Sequence, residues 1–90
     1  MLLSSEIPAV VFQLTKFREG YATDDVDRML GAARTALDSW ERGERPNLTA
    51  VDVVNSRFTP TKFRQGYDQD QVDDFLDTVV VALQHYESRA

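Results

Sequence analysis

Cysteine is absent from the 90 residues, which excludes a disulfide framework, a thiolate zinc site and a cysteine nucleophile. Histidine occurs once, as His85, with no base or nucleophile at a spacing that would make it catalytic. No apolar run approaches the roughly 18 residues of a membrane span. The segment Met1 to Pro8 lacks a basic start and carries Glu6 and Pro8 inside what would be its apolar stretch, so no secretory signal is expected. The Asn47-Leu48-Thr49 sequon then carries no expectation of a glycan. Cations are the minority, 10 against 15 acids for a net charge of −5. Such a surface repels a phosphate backbone, and no nucleic acid is expected as a partner. Neither helical repeat described below has the basic face of a DNA-recognition helix. A Gly-rich phosphate loop and metal-ligand spacing are missing as well, so the expectation is a non-enzyme without cofactor or metal. The acidic cluster Asp68, Asp70, Asp73, Asp74 and Asp77 does not alter this, because a calcium loop opening at Asp68 needs an oxygen ligand at 72 and glycine at 73, where Val72 and Asp73 stand.

The chain does have enough apolar content to fold: 42% hydrophobic and 28% charged residues are ordinary for a globular domain. At this size folding removes only about 64% of the unfolded chain's surface from water, so helix pairing or oligomerisation is expected. The residues also repeat. Residues 12–41 laid over 58–87, an offset of 46, are identical at 14 of 30 positions without a gap. Shared positions include Phe12/Phe58, Thr15/Thr61, Gly20/Gly66, Tyr21/Tyr67, Asp27/Asp73 and Glu41/Glu87, and the only two lysines, Lys16 and Lys62, are equivalent. The chain is read as repeat one, 1–42, a linker, 43–47, and repeat two, 48–90. The linker is charged and holds Gly43 and Pro46.

The second half of each repeat has helical periodicity. Val26, Leu30, Ala33, Leu37 and Trp40 are spaced 4, 3, 4, 3, and Val72, Leu76, Val79, Leu83 and Tyr86 repeat the pattern. This is a coiled-coil-like seam, with Trp40 and Tyr86 closing it and Met29 and Phe75 widening it. Asp68 is placed to cap the second helix, with Gln71 three residues on and Tyr67 stapling back onto Val72. Repeat one has Ala22 at the capping position. Gly20 and Gly66 are read as tight-turn residues with positive φ. Short helical turns are expected around Glu6-Ile7 and Asp52-Val53, the second capped by Thr49. The fold class expected is all-α: two tandem units of short turn, loop and long helix, packed through the seam. Residues 43 to about 68 are long enough to carry the chain back along the first helix. The two helices can therefore lie parallel within one chain, or pair with those of a second chain as a homo-oligomer.

Leu48-Thr49-x-x-Asp52-Val53-x-x-x-x-Phe58, followed by Phe63-Arg64-x-Gly66-Tyr67-Asp68-x-x-x-Val72-Asp73-x-Phe75-Leu76, resembles the N-terminal domain of DivIVA-type cell-division and polar-growth proteins. Repeat one keeps Phe17-Arg18-Glu19-Gly20-Tyr21 and Val26-Asp27-x-Met29-Leu30 but loses the Leu-Thr pair and the capping aspartate. The resemblance implies a parallel helical dimer with crossed loops that expose a hydrophobic residue flanked by basic ones and dock on the inner face of the cell membrane, preferring negative curvature. This chain departs from it in carrying two copies and no long C-terminal coiled coil.

The residues that would bind membrane are Lys16, Phe17 and Arg18 in one loop and Lys62, Phe63 and Arg64 in the other, the only basic-aromatic-basic triplets in the chain. Two readings of the rings are open: inserted at the lipid headgroup level beside their cations, or tucked into the core. Arg18 and Arg64 have a structural alternative as well, ion pairs with Asp27 and Asp73. The function expected is a cytoplasmic, membrane-peripheral adaptor that binds anionic lipid and another division or wall-growth protein. The alternative is a soluble helical interaction module that has lost lipid binding.

Overall fold

The computed structural model describes residues 1–90. Repeat one holds a 3₁₀ helix (Ser4–Ala9), strands β1 (Leu14–Thr15) and β2 (Gly20–Tyr21), and helix α1 (Thr23–Glu41). Repeat two holds helix α2 (Ala50–Val54), strands β3 (Pro60–Thr61) and β4 (Gly66–Asp68), and helix α3 (Gln69–Glu87). The expected all-α class is therefore corrected: the chain is a mixed fold, 54% helix and 10% strand, with one four-stranded antiparallel-paired sheet in the order β1-β4-β2-β3.

The sheet is built between the repeats. β1 pairs with β4, β4 with β2 and β2 with β3, so every ladder joins one repeat to the other. The segments between the short and long helices have peptide groups that no helix satisfies, and each repeat satisfies them on its twin. The registers Leu14↔Tyr67 and Thr15↔Gly66 recur, shifted by the repeat offset, as Pro60↔Tyr21 and Thr61↔Gly20. Tyr21 pairs with its own equivalent, Tyr67, which puts a pseudo-twofold axis between them. At the other end of the molecule Trp40 stacks on its equivalent Tyr86, centroids 5.6 Å apart and rings 4° from parallel. Equivalent residues meeting at both ends require that α1 and α3 run parallel along the axis, within one chain.

The seam supplies most of the core. Val26, Ala33, Leu37, Val72, Leu76, Val79 and Leu83 are buried, whereas Leu30, Trp40 and Tyr86 are only half-buried. Ala36 and Ala82 are buried too, and Ile7, Ala50 and Val53 from the short helices, with Phe12 from the segment before β1, complete the cluster. The shared glutamates tie those short helices down. Glu41 accepts from the backbone N–H and hydroxyl of Ser4 at 2.8 and 2.6 Å, and Glu87 accepts from the N–H of Ala50 at 2.8 Å. These first-turn N–H groups are otherwise orphans. Pro8 lies inside the first short helix, which is 3₁₀, while its counterpart α2 is α-helical and begins at a reciprocal Thr49/Asp52 capping box.

Helix ends follow the local residues. α1 stops in a Schellman arrangement: Gly43, at φ 80°, donates to Trp40 O at 3.0 Å and Glu44 donates to Ser39 O at 2.8 Å. At the start of α3 the Asp68 carboxylate accepts from the Gln71 N–H at 3.0 Å. The Gln71 side chain does not close the box, however. Its Oε1 accepts from the Gln13 N–H across the repeats at 2.7 Å, and Asp25 does the same at the equivalent place, accepting from the Thr59 N–H at 2.8 Å. α1 begins after Ala22, which offers no side-chain cap. Ala22→Asp is expected to stabilise the protein by about 1 kcal/mol, the ordinary worth of an N-cap, in chemical denaturation.

Candidate functional site

The loops 16–19 and 62–65 flank the strands at the end of the molecule where α1 and α3 begin, opposite the Trp40–Tyr86 stack. Their rings are outside the core: Phe17 is 76% and Phe63 72% exposed. Each ring has its own lysine above it, Lys16 Nζ 5.7 Å from the Phe17 centroid and Lys62 Nζ 5.5 Å from that of Phe63. The structure thus brings each Lys-Phe-Arg triplet together as an exposed aromatic with cations beside it, and answers the open question about the rings in favour of exposure. The Phe63 backbone has φ 63°, a sparsely populated region for a bulky residue, while Phe17 shows no such value.

The ion pairs differ from the expected ones. Arg18 Nη2 lies 2.7 Å from Asp68 Oδ1 in the other repeat, and Arg64 forms no ion pair because Ala22 stands where its aspartate would be. Asp27 and Asp73 serve the tyrosines instead. The Tyr67 hydroxyl donates to Asp27 Oδ1 at 2.8 Å and the Tyr21 hydroxyl to Asp73 Oδ1 at 2.9 Å. The same rings meet phenylalanines of the opposite repeat, Tyr67 with Phe12 at 5.4 Å and Tyr21 with Phe58 at 5.2 Å between centroids. Tyr67, read from sequence as a staple onto its own helix, and its equivalent Tyr21 are therefore crossbars between repeats that hold the base of the loops.

Burial and the Asp73 hydrogen bond and charge push the Tyr21 phenol up to about 12, and Tyr67 is raised by its bond to Asp27 and by burial. A pKa higher in the folded than in the unfolded chain, where it is about 10, gives stability that is complete below pH 10. That stability is lost as the pH climbs toward 12. Alkaline unfolding is expected to begin in this window, and Tyr21→Phe to narrow the loss. Denaturation midpoints measured against pH, with phenolate absorbance followed in parallel, check both. The carboxyl of Asp68 is held below its usual range by the Gln71 N–H and by Arg18.

Gly20 and Gly66 close the loops, but not through positive φ, which neither adopts. They are needed for space. A Cβ on Gly20 would stand 2.7 Å from Tyr67 O and collide with Thr15 Oγ1, and one on Gly66 would stand 2.9 Å from Tyr21 O and collide with Thr61 Oγ1. The Thr-x-x-x-x-Gly spacing, identical in the two repeats, is the sequence trace of this contact.

Two grooves also correspond under the pseudo-twofold. One is walled by Val10, Val11, Phe12, Leu14, Leu30 and Tyr67, and its twin has Ser56, Arg57, Phe58, Leu76 and Tyr21 at the matching places. Both grooves are walled mainly by apolar residues; the first presents Val11, 88% exposed, where the second has Arg57. His85 packs edge-on to Tyr86 at 5.7 Å, and the Ser88 hydroxyl donates to the His85 backbone carbonyl at 2.9 Å, not to the imidazole. No group of three or more His, Cys, Asp or Glu side chains converges on a possible metal position. No helix is long and apolar enough to cross a membrane. Compared with family models, with curated proteins and with solved structures, the chain finds no match.

Proposed function

We propose that this chain is a non-enzymatic, DivIVA-like adaptor of bacterial cell division or polar growth. It docks weakly on anionic membrane through the Lys16-Phe17-Arg18 and Lys62-Phe63-Arg64 loops and holds a protein partner with its helical body. The observation that carries this reading is the exposure of two equivalent phenylalanines, 76% and 72%, each beside a lysine, at one end of a rigid cross-paired sheet. A ring at headgroup level contributes apolar burial, and each cation near anionic lipid adds about 1 kcal/mol. Two weak contacts on one body reinforce each other through effective concentration. The pseudo-dimer would make a single chain equivalent to the two-chain arrangement that the resemblance implies. The place of action is the cytoplasmic face of the cell membrane, and the partner a second division or wall-growth protein. Val11 and Leu14, exposed at the first groove, are where such a partner gains most from burial.

Co-sedimentation with phosphatidylglycerol/phosphatidylcholine vesicles tests the reading. Binding at low salt is expected, falling as salt screens Lys16, Arg18, Lys62 and Arg64, with little binding to phosphatidylcholine alone. A protein that ignores anionic vesicles at low salt is the soluble interaction module instead.

A further inference from the structure

The duplication has made the two loops chemically unequal. Loop 16–19 carries Lys16 and Arg18, and the Asp68 carboxylate holds the Arg18 guanidinium at 2.7 Å. Loop 62–65 carries Lys62 and Arg64 with Ala22 in the place of Asp68, so no such carboxylate meets Arg64, and Glu19, the one acid within either loop, pairs with neither lysine. Arg64 forms no ion pair. The backbone differs as well, since only Phe63 of the two loop rings has a positive φ, at 63°. The whole chain carries −5, so its body is repelled by anionic lipid, and at physiological salt only charges within about 8 Å of the surface count. Of the two loop arginines, Arg64 alone offers uncompensated positive charge at that range.

Resting on the membrane reading above, we propose that the chain docks with a fixed polarity: loop 62–65, with both cations free, is the stronger electrostatic contact with an anionic bilayer, and loop 16–19 contributes its ring and Lys16. A symmetric dimer of identical chains cannot have this polarity. One copy per chain with an aspartate at position 68 and none at position 22 can. The cap and the charge are coupled at these positions, because the carboxylate that caps α3 is also the one that neutralises Arg18.

The test compares variants of equal charge change on vesicles of phosphatidylglycerol and phosphatidylcholine at low salt. Lys62→Gln with Arg64→Gln is expected to weaken binding by about 25-fold, about fivefold for each cation removed from the surface. Lys16→Gln with Arg18→Gln, the same loss of charge, is expected to cost only about fivefold, because Arg18 is already compensated and Lys16 alone is free. Ala22→Asp provides the independent arm. It supplies Arg64 with the partner that Arg18 has, so it is expected to raise the unfolding midpoint while lowering vesicle affinity about fivefold. A purely structural role for position 22 would not lower affinity in a more stable protein. Equal losses from the two double variants, or unchanged affinity in Ala22→Asp, overturn the polarity and leave the membrane reading standing. A wild-type chain that does not bind these vesicles overturns both.

Discussion

Replacing Phe17 and Phe63 together by Ser is expected to abolish binding to anionic vesicles and to leave the fold almost untouched. The two rings are 76% and 72% exposed, and surface substitutions of this kind change stability by about 0.5 kcal/mol or less. Core rings would behave in the opposite way, costing about 3–5 kcal/mol each, against a total stability of about 5–15 kcal/mol for a domain. Circular dichroism and denaturation of the double variant, run beside co-sedimentation, separate the two. Lost binding with an unchanged midpoint supports the loops as membrane tips. Lost binding with a lowered midpoint would mean that the rings hold the loops together.

The second large effect is one of sign, and it concerns glycine. Gly66→Ala and Gly20→Ala drive a methyl group against Tyr21 O and Tyr67 O, backbone atoms fixed by the ladders that join the repeats. Overpacking of this kind costs about 1–3 kcal/mol or more per site, and the two changes together are expected to unfold a large fraction of the chain. Gly31→Ala, by contrast, lies inside α1 where an added Cβ meets nothing within 4 Å. It is expected to stabilise by about 0.5–1 kcal/mol, the difference between glycine and alanine in a helix interior. Chemical denaturation of the three single variants checks the pattern. A stabilising Gly66→Ala would mean that the loops are not crossed as described.

The helices were legible because each has enough turns to display its period. Val26 to Trp40 and Val72 to Tyr86 mark nineteen-residue helices in the structure; Asp68 and Gly43 act at their ends, and Thr49 at the start of α2, as their side chains and conformational freedom dictate. The sheet was not legible. Its strands are two or three residues long, too short to show alternation, and they contain the residues that ordinarily argue against a strand, Gly20, Gly66 and Pro60. Their partners lie in the other repeat, beyond any local window. What the duplication could have indicated is that residues identical in both copies yet off the seam serve the contact between copies. Thr15/Thr61, Gly20/Gly66 and Tyr21/Tyr67 are of this kind, whereas Glu41 and Glu87 each hold the short helix of their own repeat. The Arg18–Asp68 pair is hidden for the same reason: acids within the same repeat suggest Asp27 and Asp73, and those are taken by tyrosine hydroxyls of the opposite repeat.

The loop-tip account is tested most directly by the depth of a reporter at the tip itself. In a Trp40→Phe background, the indole introduced by Phe63→Trp is the sole tryptophan. On anionic vesicles its emission is expected to shift to the blue and to be quenched by a quencher attached to the lipid acyl chains, with added salt reversing both. Emission that stays at the position of the free protein, and remains open to a water-soluble quencher with vesicles present, would contradict the account.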